Sequence, residues 1–127
     1  MKRSTFLLIA AILAFLFAAL MLATPQAAAD GVGMAATPET SLLFRSIGGM
    51  LLSVGLLNLM VRNHGDSNTL RAVLIFNIVL NFMGMVSDVP GFVGGFLSFS
   101  KVLPGHIVHL FIIVGSFIYW KNTRPSA

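Results

Sequence analysis

Asp88 lies near the end of a hydrophobic run, on one helical stripe with Asn77, Asn81 and Gly84. Offsets of 0, 4, 7 and 11 put all four on one side of a helix. His106 and His109, three residues apart, share one face of a later apolar run. Two imidazoles and a carboxylate can hold zinc or iron, bind a polar ligand or exchange a proton. The pair HxxH arises readily by chance, however, and no sequence feature makes both rings converge on Asp88. Histidines satisfied inside the fold, facing the run that carries Asp88, are therefore the preferred reading, with no metal and no cofactor. Arg45 stands just inside another apolar run; in an antiparallel neighbour it would meet Asp88 as an ion pair. Asn58 and Asn77 should meet at a common depth as an interhelical contact. The candidate ligand-binding or structural polar cluster is thus Arg45, Asn81, Asp88, His106 and His109.

These side chains depend on the runs that carry them, and the runs are membrane-like. Of 127 residues 57% are hydrophobic and 9% charged, against about 25% charged in soluble domains. Absence of Cys excludes disulfides, thiolate metal sites and Cys nucleophiles. The net charge of +4 is scattered in ones and twos at the ends of apolar runs, which argues against a nucleic-acid surface. No Ser–His–acid set, phosphate loop or carboxylate pair is present, so no catalytic residues are assigned and enzymatic activity is not the expectation. His64, in a polar turn, reads as solvated.

A bilayer core takes about 20 apolar residues per helix, within about 17–25. Four segments qualify: 6–23, 42–61, 70–87 and about 102–120. One all-α domain over residues 1–127 is expected, an integral membrane four-helix bundle. The connections are a polar loop (24–41), a short turn (62–69) that should make spans two and three an antiparallel hairpin, and a Gly-rich apolar loop (89–101). With the N-terminus inside, Lys2, Arg3, Arg62, Arg71, Lys121 and Arg124 face the cytoplasm, and only Arg45 and Lys101 face outward. That positive-inside bias predicts both termini in the cytoplasm, N-in and C-in, with Tyr119 and Trp120 at the inner interface.

The first run also has the look of a secretory signal, with an Ala-x-Ala site ending at Ala29. Its 18 apolar residues exceed the usual ~7–15 of a signal, so retention as a span is expected. Small residues suit close helix approach in lipid: Ser46, Gly49 and Ser53 form one ridge, Gly48 and Gly55 a second, and Gly115 serves on the last span. Pro104 reads as a first-turn residue, where its missing N–H costs little.

The middle of the chain is the most recognisable part. Leu43-Phe44-Arg45-Ser46-Ile47-Gly48-Gly49 opens a span that closes Gly55-Leu56-Leu57-Asn58-Leu59-Met60-Val61-Arg62-Asn63. After the turn come Arg71-Ala72-Val73-Leu74-Ile75-Phe76-Asn77, then Asn81 and Asp88. Over about residues 40–120 this resembles a group of small four-helix bacterial membrane proteins of uncharacterised function, DoxX-like in architecture. The resemblance implies a multi-pass protein of the bacterial cytoplasmic (inner) membrane. DoxX-like proteins are associated with oxidoreductase complexes, and a shared architecture is all that extends this here. Two functions follow as expectations. The first is a structural or accessory subunit in the lipid bilayer, docked to a larger membrane complex. The alternative is a lipid-, quinone- or metal-binding protein holding a small lipophilic ligand in the outward half of the bundle.

Overall fold

The structure is a computed structural model and describes residues 1–124. Among these residues 82% are helical and there are no strands. The order is α1 (Arg3–Ala23), α2 (Pro25–Val32), α3 (Pro38–Val61), α4 (Asn68–Ser87), α5 (Val89–Val93) and α6 (Phe99–Asn122). Helices α1, α3 and α6 are long and apolar enough to cross a membrane, as is α4 taken together with α5. The expected spans all lie within these helices, which extend further into the connections.

Local chemistry sets the boundaries. At the start of α3 the Thr37 hydroxyl accepts from the Thr40 N–H (3.2 Å) and the Thr40 hydroxyl accepts from the Thr37 N–H (2.8 Å). This reciprocal cap satisfies two N–H groups that the first turn leaves without partners, and Pro38 follows at the first helical position. Ser67 caps α4 by accepting from the Leu70 N–H at 3.1 Å. The connection read as a polar loop contains α2, which begins at Pro25 and ends at Gly33 with φ of 88°, a left-handed conformation suited to glycine. The Gly-rich loop contains α5, and α6 begins at Phe99. Pro104 therefore falls in the second turn of α6 rather than its first. The carbonyl that loses its helical partner belongs to Ser100, an exposed residue.

The long helices pack as two antiparallel pairs, α1 with α3 and α4 with α6. Glycines set the first pair: Gly48 faces Ala18, Met21 and Leu22, and Gly55 lies against the Phe15 ring. The other small-residue ridge turns outward, with Ser46 and Ser53 bonding back to Leu42 and Gly49 carbonyls. The pairs meet at the end that carries both termini. There Phe6, Leu7 and Ala10 of α1, Val61 of α3, Leu70, Val73 and Leu74 of α4 and Ile112 of α6 form one core. Phe6 is fully buried and stacks against Phe111 and Tyr119, while Gly115 makes room for its ring.

Arg71 closes this terminal end. Its guanidinium donates to the Thr123 carbonyl at 2.6 Å and lies 5.1 Å from the centre of the Trp120 ring. A cation on the last carbonyls of α6 is favoured by the helix dipole. Arg3 binds Asp66 and donates to the His64 carbonyl at 2.7 Å, tying α1 to the α3–α4 turn. At the distal end, Ala28 and Ala29 of α2 pack on Phe44 of α3, with Met21, Val32 and Met34 around them.

Candidate functional site

The polar stripe of α4 is fixed by the pairing of α4 with α6 and by one contact to α3. Asn58 and Asn77 are 1% exposed and exchange hydrogen bonds: Asn77 Nδ2 donates to Asn58 Oδ1 at 2.7 Å, and Asn58 Nδ2 donates to Asn77 Oδ1 at 3.2 Å. Asn58 Nδ2 also reaches the Val54 carbonyl at 2.9 Å. One turn further along α4, Asn81 Nδ2 donates to the Asn77 carbonyl at 2.8 Å. That bond orients the Asn81 amide, so its Oδ1 faces away as an acceptor. His109 Nδ1 lies 2.8 Å from this oxygen and must donate to it. Gly84 passes directly under the His109 ring, where any Cβ would crowd it.

His106 lies one turn nearer the distal end, 9% exposed, with its ring centre 6.3 Å from that of His109. Its Nδ1 donates to the Val102 carbonyl at 3.2 Å. Asp88 occupies the joint between α4 and α5, and its Oδ2 is 3.8 Å from His106 Nδ1. The Phe92 and Phe99 rings complete the surroundings of His106, with centres 6.1 and 6.2 Å away. Both histidines thus face α4, and the polar side chains run in file from Asp88 through His106, His109, Asn81 and Asn77 to Asn58. Below Asn58 the file ends on the apolar core of the terminal end. Among the described residues no three of His, Cys, Asp and Glu come together as a metal set.

Arg45 is not part of this file. The ion partner within 4 Å of Asp88 is His106, and no ion pair joins Asp88 to Arg45. The expected pairing presumed that α3 and α4 lie side by side along their length. Instead, Gly48 and Gly55 commit α3 to α1, and α3 touches α4 little beyond their turn and the asparagine pair. Arg45 is exposed and lines an open groove of about 480 Å³ with Gln26, Ala36, Thr37, Pro38, Ser41 and Leu42. The residues around Arg45 were not legible as a group, because Gln26 arrives on a helix that reads as loop. His64 is exposed in the α3–α4 turn.

Compared with known proteins, the chain matches no family model, no curated protein and no solved structure.

Proposed function

We propose that this chain is a multi-pass protein of a bacterial cytoplasmic membrane, with both termini inside, serving as a structural or accessory subunit of a larger membrane complex. The observation that carries this reading is the use of the polar stripe. Asn58, Asn77, Asn81 and His109 have their side-chain hydrogen-bonding groups turned onto one another and onto nearby carbonyls. Such groups join helices in lipid, where an unsatisfied amide is costly. Meanwhile all four long helices present large apolar side chains outward, among them Leu16, Met60, Phe82 and Val114. Internal polar contacts with an apolar exterior suit a protein whose work is to pack against lipid and other helices. The four-helix layout and the motifs around Arg45 and Asn77 are compatible with a small four-helix membrane protein that is DoxX-like in architecture.

A second reading rests on Asp88. Its carboxylate, part-exposed at the distal end, is approached at 3.8 Å by His106, which itself lies against the Phe92 and Phe99 rings. A lipophilic ligand with a polar head would find an acid, an imidazole and aromatic surface there. Extraction in mild detergent followed by mass spectrometry separates the two readings. Other polypeptides in fixed ratio to this chain support the accessory role, and a stoichiometric small molecule on the isolated chain supports the second.

A further inference from the structure

Arg45 is a cation within an apolar helix, seven residues beyond Pro38 and so about 10 Å along the α3 axis. Among the described residues no carboxylate, Glu39 and Asp88 included, forms an ion pair with it, and it makes no hydrogen bond to a protein acceptor. An arginine in a membrane segment is costly without a counter-charge, and its long side chain can reach toward the interface to find one. The groove it lines leads that way. Gln26 of α2 supplies an amide on one wall, and Thr37 and Pro38 at the capped start of α3 form the other. Ser41, also on the groove and 9% exposed, has a hydroxyl with no hydrogen-bond partner. A guanidinium, an amide and an unpartnered hydroxyl form a set of polar groups in want of an anion.

The surroundings identify the kind of anion. Leu52 and Leu56, seven and eleven residues further along α3 and on the same face as Arg45, are 42% and 48% exposed and offer apolar surface below the charged group. A phosphate carrying acyl chains satisfies both parts, whereas a free phosphate would leave the leucines uncovered. We propose that Arg45 and this groove bind the phosphate of a membrane phospholipid, held by Arg45 with Gln26 and Ser41 beside it. This rests on the membrane-spanning reading above and is independent of the accessory role.

The test is native mass spectrometry of the full chain purified in detergent, with phosphatidylglycerol, phosphatidylcholine or diacylglycerol of identical acyl chains added, and inorganic phosphate as a fourth probe. Both phospholipids should be retained about tenfold more tightly than diacylglycerol, and Arg45→Gln should weaken them by about tenfold. Lys2→Gln, which removes the same charge at the opposite end, should leave that retention unchanged, and Arg45→Lys should keep part of it. Circular dichroism establishes that each variant is folded. Should Arg45→Gln not fold, Gln26→Leu on the exposed edge of α2 replaces it, with an expected loss of about threefold. Equal retention by wild type and the folded groove variants, or retention of diacylglycerol equal to that of the phospholipids, would overturn the proposal. Uptake of inorganic phosphate through Arg45 without phospholipid would likewise overturn the lipid assignment. Failure of the accessory role would appear instead as an absence of partner polypeptides and would leave these lipid ratios untouched.

Discussion

Asn58 on α3 and Asn77 on α4 exchange two hydrogen bonds, at 2.7 and 3.2 Å, and link the two helix pairs above their shared core. Replacing one partner leaves the other buried and incompletely satisfied. Asn77→Leu or Asn58→Leu should each cost about 1–3 kcal/mol. In a double-mutant cycle followed by denaturation in detergent, the coupling should fall near 0.6–1.7 kcal/mol, because two facing leucines strand nothing. Strict additivity would mean that the amides do not act as a pair.

Gly115 and Gly49 make a matched comparison. A Cβ on Gly115 would overlap the fully buried Phe6 ring, whereas one on Gly49 meets open space. Gly115→Ala should therefore lose about 1–3 kcal/mol, as overpacking does. Gly49→Ala should be neutral or gain up to about 1 kcal/mol from helix propensity. Thermal unfolding of the two variants in the same detergent checks both signs.

Asp66 gives a dependence on pH. The Arg3 guanidinium and then the Arg124 N–H hold its carboxyl below the usual carboxylate range. A lowered folded-state value stabilises above the ordinary aspartate value, about 3.9, and that contribution is lost as pH falls through the folded value. The pair is solvent-exposed, so the contribution is small and screened by salt. Asp66→Asn should lower the melting temperature slightly at pH 7, and the difference should shrink as pH falls below the ordinary aspartate value and in high salt. A difference that persisted at low pH would show that the ion pair is not its source.

The four spans were legible because each is a long apolar run, and the asparagine contact because depth along a helix follows from counting residues. Helix pairing was not. The short turn between α3 and α4 suggests neighbours, yet the Gly48 and Gly55 ridge decides the matter by letting α1 approach α3. That choice moves Arg45 away from Asp88 and toward Gln26. Helix α2 did leave a signal, with Pro25 at its first position and Gly33 just past its end. Helix α5 is only five residues long, too short for any periodicity to register.

The packing of α1 supports the expectation that the first helix is retained. Phe6, Leu7 and Ala11 are fully buried, so removing α1 would uncover Val61, Leu70 and Leu74. Intact-mass measurement of the protein purified from membranes should include residues before Ala29. A mature chain that begins just after Ala29 and remains folded would contradict this.

Everything proposed for this protein depends on four crossings with the terminal end in the cytoplasm, and reporter fusions test that most directly. Alkaline phosphatase joined at Gly31 or Gly95 should be active, because both lie at the distal end. Fusions at Gly65 or after Lys121 should be inactive. An active fusion after Lys121 would contradict the four-span arrangement and, with it, the placement of Arg45 at the outer face.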